Sequence, residues 1–154
     1  MLGDILSHDT IIMHLMSKDK KAAIEELVDT LDKSHKISER EPVLQAILDR
    51  EAVMSTGVGD GVAIPHGKSD SANELVAALG VTESPLDFES IDDKPVRLIW
   101  LLVGPPGKTG PHLKALSRIS RLMHDSRFRE TIIAAETPEK ILNYIRDEEI
   151  KYFE

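Results

Sequence analysis

The 154-residue sequence contains no cysteine. Disulfides, thiolate nucleophiles and cysteine-ligated zinc or iron–sulfur sites are therefore excluded. No apolar run approaches the ~20 residues needed to cross a bilayer. The opening Met1-Leu2-Gly3-Asp4-Ile5-Leu6 lacks the basic stretch and apolar core of a secretory signal. The expected compartment is the cytoplasm, with no direct membrane insertion. There is no Gly-x-Ser-x-Gly elbow, no His-x-x-x-His pair and no His-Glu-x-x-His. Nothing specifies hydrolysis, and a zinc site would need ligands scattered along the chain. Basic charge is also short. With 19 Lys and Arg against 27 Asp and Glu, the net charge is −8, which argues against nucleic acid or an anionic membrane as the main partner.

What is present is an ordinary globular composition, 41% hydrophobic and 30% charged. The length suits a single domain spanning 1–154, able to bury a core without a metal or a disulfide. One stretch reverses the overall charge. Lys108 to Arg129 holds six basic residues against one acid, Asp125, a local charge of +5. It reads as a solvated basic helix face, or as a docking surface for an acidic protein or a phosphorylated group.

Hydrophobic spacing predicts the elements. Thr10 to Met13 reads as a short strand. Ser17 can cap a helix whose stripe is Ala23, Ile24, Leu27, Val28 and Leu31. Ser38 with Glu41 forms a capping box before a helix burying Val43, Leu44, Ile47 and Leu48 and running to about Met54. Leu75 to Val81 reads as a strand. Val96 to Val103 is a near-continuous apolar run, as expected of a central strand covered on both faces. Pro111 opens a helix with Leu113, Leu116, Ile119, Leu122 and Met123 on one stripe. Two shorter helices follow, the first capped by Ser126. The second is capped by Thr137, with Pro138 at its first position and Ile141, Leu142 and Ile145 inside. The pattern predicts an α/β domain with helices on both faces of a mixed sheet.

One segment fits neither a helix nor a plain strand: Ser55-Thr56-Gly57-Val58-Gly59-Asp60-Gly61-Val62-Ala63-Ile64-Pro65-His66-Gly67-Lys68. Glycines at 57, 59 and 61 permit close approach to the main chain. Ile64-Pro65 is a stiff, extended lead-in to His66, and Gly67 leaves open space beside it. His66 is thus either a surface residue on a bend or an imidazole presented for reaction. His112 lies in the first turn of the helix after Gly110-Pro111. There, unpaired N–H groups and a partial positive charge favour an anion and help keep imidazole neutral. It is either a packing residue at a helix end or the partner of His66. The remaining histidines, His8, His14, His35 and His124, read as structural or solvent-facing. A histidine nucleophile beside a second histidine fits phosphoryl transfer, because neutral imidazole attacks phosphorus near pH 7. Donors then position and neutralise the transferred group. Backbone amides of the glycine segment, the helix start at His112 and a nearby arginine would supply them.

The segment Thr56 to Lys68 resembles the active-site signature of enzyme IIA domains of the bacterial phosphoenolpyruvate-dependent phosphotransferase system, fructose/mannitol/nitrogen-regulatory class. Three further stretches extend the likeness over essentially the whole chain: Asp49-Arg50-Glu51, Ser90 to Val96, and His112-Leu113-x-x-Leu116. The resemblance implies a mixed, mostly five-stranded sheet flanked by helices. It implies that His66 is phosphorylated by the histidine-containing phosphocarrier protein and passes the group to a IIB component. It implies that His112 is the second active-site histidine and Arg50 the active-site arginine. Thr56, Gly59, Asp60 and Gly61 would line the phosphate site. No cofactor and no metal are called for. A nitrogen-regulatory module, acting through phosphorylation-dependent binding of a regulatory target protein, is the alternative.

Overall fold

The computed structural model describes residues 1–153. Helix α1 (Leu2–Ile5) and a 3-10 turn (His8–Thr10) lead into strand β1 (Ile11–Leu15), then helices α2 (Lys20–Lys33) and α3 (Arg40–Val53). Three short strands follow, β2 (Gly57–Gly59), β3 (Val62–Ala63) and β4 (His66–Lys68), then two long ones, β5 (Val76–Leu86) and β6 (Val96–Gly104). Helices α4 (Thr109–Met123), α5 (Ser126–Ala134) and α6 (Pro138–Phe153) complete the chain.

The strands form one mixed sheet in the order β1-β5-β6-β3-β2, with β4 also on β6. Strand β6 pairs antiparallel with β5 and parallel with both β3 and β4. Those two short strands share the same edge of β6, at Leu98–Ile99 and at Leu102–Gly104. They are one strand position interrupted at Ile64-Pro65, where proline has no N–H for the ladder. Five positions are therefore built from six segments, in accord with the expected mixed sheet.

Strand β6 divides the core. Leu98, Trp100 and Leu102 face a cluster with Ile119, Leu122, Ile141 and Ile145 from α4 and α6. Ile99, Leu101 and Val103 face a second cluster with Leu27, Leu31, Val43 and Ile47 from α2 and α3. Both faces are covered, so the sequence of β6 shows no alternation.

Several boundaries differ from the sequence reading. Asp19, not Ser17, caps α2, its carboxylate accepting the Ala22 N–H at 2.8 Å. Ser17 instead donates its hydroxyl to Glu26. The Ser38 capping box does not form. The Ser38 amide and hydroxyl both donate to the Ser71 carbonyl, and α3 starts two residues later. At α5 the cap is Asp125 rather than Ser126. Helix α4 starts at Thr109, which places Pro111 third, where the missing N–H is still harmless. That phase buries His112 and Ala115 and leaves Leu113 60% exposed. Strand β5 continues to Leu86 through a polar stretch that carries no strand signal. Helix α6 is not short: with 16 residues it is the longest here. Its apolar spacing was cut off by Glu149, a fully buried carboxylate that accepts the N–H groups of Leu2 and Gly3, each at 2.8 Å, and a guanidinium N–H of Arg118.

Candidate functional site

The glycine-rich segment does two separate jobs. Its first half is a tight hairpin. Strands β2 and β3 are joined by Asp60-Gly61, with φ of +59° and +78°, the pair of positive φ values that a two-residue primed turn requires. Its second half, β4, carries His66. Gly67 is needed there because α3 lies directly on the strand. A Cβ at Gly67 would stand 3.2 Å from the Ala46 carbonyl carbon and the Ile47 nitrogen. This close approach brings Arg50, one turn after Ala46, over His66.

His66 is half-buried at the start of β4. Its Nδ1 lies 2.7 Å from the Ile64 carbonyl. A carbonyl only accepts, so Nδ1 carries the proton and Nε2 carries the lone pair. The His112 ring lies 5.6 Å away, centroid to centroid, inclined at 60°. His112 is 4% exposed, and its Nδ1 has no partner among the described residues. Alternation along β4 puts Lys68 on the same side as His66. The Lys68 ammonium donates to the Thr109 hydroxyl at 3.0 Å, joining β4 to the start of α4. Arg50 donates to the Met54 carbonyl at 2.9 Å. Together with Ala46, Leu113 and Leu116, these side chains line an open pocket of about 400 Å³.

Both imidazoles are held neutral. His66 is lowered from its ordinary value mainly by burial, with the Arg50 charge adding to it, while the Ile64 carbonyl and the Glu51 charge act in the opposite direction. His112 is lowered further, to about 4, by burial first and then by the neighbouring His66 and Lys68. Burial thus has the role that the sequence reading gave to the helix N-terminus.

The expected phosphate contacts at Thr56, Gly59, Asp60 and Gly61 are not brought to this pocket. Thr56 is buried and commits both its amide and its hydroxyl to Glu51, at 3.1 Å and 2.6 Å. The hairpin tip lies at the opposite end of β6. The Gly61 carbonyl accepts from Arg97 and Leu98, whereas His66 is in register with Leu102. Four residues of strand separate the two, about 13 Å. The Asp60 amide donates to the Asp92 carboxylate. Two side chains went unremarked in the sequence. Lys68 was findable from strand alternation with His66. Glu51 gave no signal, because a glutamate at a helix end normally faces water.

The basic segment is partly committed inside the fold. Arg118 pairs with buried Glu149, and Arg129 donates to the carbonyls of Met123 and His124. Lys108, Lys114, Arg121 and Arg127 remain as its exposed cations. Among the described residues no group of three His, Asp or Glu side chains converges as a metal ion would require. No described helix is long and apolar enough to cross a membrane.

Residues 4–148 match the family model described as phosphoenolpyruvate-dependent sugar phosphotransferase system, EIIA 2. The chain is 36% identical over 144 residues to the PTS system fructose-specific EIIABC component of Bacillus subtilis, spanning 94% of this chain but 23% of that protein. It is 35% identical to the nitrogen regulatory protein of Bradyrhizobium diazoefficiens, covering 94% of each. Among solved structures, the nitrogen regulatory protein IIA-Ntr of Neisseria meningitidis superposes with a TM-score of 0.87 at 31% identity, over 93% of this chain and 97% of that one. The IIA mannitol protein of Escherichia coli, at 21% identity and a TM-score of 0.79 over 91% and 98%, shares the fold.

Proposed function

The chain belongs to the phosphoenolpyruvate-dependent sugar phosphotransferase system EIIA 2 family, and from that premise we propose that His66 is the residue through which it carries phosphate. As a family member it is a phosphotransferase component with the role of a phosphocarrier. The observation that carries the assignment is the fixed tautomer of His66: Nδ1 donates to Ile64, so Nε2 has a lone pair at neutral pH.

In the proposed step, His66 Nε2 attacks the phosphorus of a phosphohistidine on the histidine-containing phosphocarrier protein. The new P–N bond forms as the donor's P–N bond breaks. The electron pair returns to the donor imidazole, which takes up a proton. Arg50 and Lys68 face the incoming phosphoryl oxygens, and little covalent work is asked of them. His112, neutral and adjacent, contacts the group without competing for it as a base. The reverse chemistry passes the phosphoryl group on to a IIB component. The same reading places the chain in the cytoplasm as one domain over 1–154, with neither nucleic acid nor a membrane surface as its partner.

A second reading has a specific support. The likeness to the Neisseria nitrogen regulatory protein, with a TM-score of 0.87, favours an output by binding a regulatory target according to the state of His66. Phosphorylation adds about −1.5 to −2 charge at the pocket, which lies beside the exposed cations of α4. Incubation with phosphoenolpyruvate, enzyme I and the carrier protein tests the carrier reading. An acid-labile label is expected on the wild type and none on His66→Ala, whereas His112→Ala accepts phosphate and passes it on poorly. A label that survives His66→Ala refutes the assignment. Pull-downs with wild type, His66→Ala and His66→Asp test the second reading, and identical partners for all three would exclude a switch.

A further inference from the structure

We infer that Glu51 is a positioning residue for phosphoryl acceptance: by gripping Thr56 it fixes the turn against which Arg50 is braced over His66. The inference rests on the reading of His66 as acceptor. Arg50 and Glu51 are consecutive at the end of α3, so their side chains leave the helix about 100° apart. Each holds the chain that exits the same helix. Arg50 donates to the Met54 carbonyl at 2.9 Å. Glu51 accepts the Thr56 amide at 3.1 Å and the Thr56 hydroxyl at 2.6 Å. Met54 and Thr56 are two residues apart, so releasing Thr56 frees the carbonyl that orients the guanidinium.

The surroundings of Glu51 mark it as more than a helix-end surface residue. It is 8% exposed, and a buried carboxylate is costly unless its oxygens are met. Here they are met by an amide, a hydroxyl and the Lys20 ammonium of α2 at 3.1 Å. Lys20 also reaches Glu89 at 3.5 Å and lies 5.4 Å from the Phe88 ring centroid. The contacts of Glu51 thus tie α2, α3 and the start of the glycine segment together, and the pocket residue Arg50 is next in sequence. The charged and titratable groups around His66 are Arg50 and Glu51 from α3, Lys68 from its own strand and His112 from α4. Glu51 is the one anion in that set. Its charge opposes an incoming phosphoryl group, so its presence there needs a geometric reason.

The test uses the full chain and phosphoramidate, a small phosphoryl donor that needs no docking partner. Its P–N bond breaks as the His66 Nε2–P bond forms, and ammonia leaves. Thr56→Val and Glu51→Ala should each slow phosphohistidine formation about tenfold, the scale of a lost orienting contact. Thr56→Ser should restore the rate. The double variant should be no slower than either single one, because both remove halves of one contact. By NMR, the His66 ring should titrate lower in Glu51→Gln and higher in Lys20→Met, opposed shifts that loosened packing alone does not produce. Wild-type rates in Thr56→Val, acceleration in Glu51→Ala, or losses that multiply in the double variant would overturn the inference. If Glu51→Ala fails to fold, Thr56→Val and the Lys20→Met titration decide it. An absent label on the wild type would instead remove the acceptor reading, and the titrations would still decide the coupling between Glu51 and His66.

Discussion

Replacing Glu149 by leucine should destabilise the fold even though leucine suits the apolar phase of α6. The Glu149 side chain is fully buried and accepts three hydrogen bonds, from the Leu2 and Gly3 amides and from Arg118. Without the carboxylate two backbone donors are left buried, each costing about 1–3 kcal/mol. The chain can escape that cost by fraying α1 into water. Fraying exposes Leu2 and Leu6, now 1% and 4% accessible, at roughly 1.5–3 kcal/mol per side chain. Either route loses about 2–5 kcal/mol, a large share of the ~5–15 kcal/mol of a typical domain. At this chain length the melting temperature should fall by roughly 5–15 °C.

The decisive variant removes the ion pair as a whole. Swapping a simple buried ion pair for apolar residues is often neutral or stabilising. Arg118→Met with Glu149→Leu should nevertheless remain destabilised here, because the Leu2 and Gly3 amides still lack an acceptor. Glu149→Gln, which keeps one acceptor oxygen, should fall between the two. Urea unfolding followed by the fluorescence of Trp100, the one tryptophan and fully buried, gives the midpoint, with an unchanged m-value as the check on two-state behaviour. A double variant as stable as the wild type would show that the amides of α1 find other partners and that the reasoning is wrong.

Gly67→Val should lower stability by more than about 1 kcal/mol and slow phosphate acceptance, because the new side chain meets α3 backbone that cannot step aside; comparison of unfolding midpoints and labelling rates checks it. Arg50→Gln should raise the titration midpoint of His66, since the guanidinium charge lowers it, and NMR titration reads the shift directly. Stability should fall as pH drops from about 6.5 to about 4, because His112 stays neutral when folded but takes up a proton when unfolded. A His112→Gln variant should flatten that part of the profile, and urea midpoints measured across the window decide it.

The parts of the fold that were legible share one property: their signal is local. Apolar phase places α2, α3 and β6, Thr137-Pro138 announces α6, and Pro-His-Gly marks His66. The misreadings occur where a distant residue overrides the local rule. Ser38 could cap a helix, yet the Ser71 carbonyl claims it from 33 residues away. Glu149 ends the readable stripe of α6 because its partners lie at the other end of the chain. Glycines at 57, 59 and 61 stand close to His66 in sequence, so they invite a single cradle. The hairpin instead runs away along β6 and leaves the phosphate contacts to Arg50, Lys68 and the start of α4. Lys68 was hidden by being read as the end of a motif rather than as the next residue on the His66 face of a strand.

The arrangement also explains why a histidine can serve as a reversible carrier at this place. A phosphoryl group needs cations to bind and a neutral nitrogen to attack it. The same cations depress imidazole basicity, so the two needs are met together: Arg50 lowers His66, Lys68 lowers His112, and both remain available for phosphate oxygens. Burial reinforces the neutrality, and the Ile64 carbonyl decides which nitrogen is free. Glu51 is the counterweight. Its charge works against the phosphorylated state while its hydrogen bonds hold the turn that supports Arg50. A site built only of cations would hold the phosphoryl group too firmly to pass it on, and the buried anion beside the pocket tempers that hold.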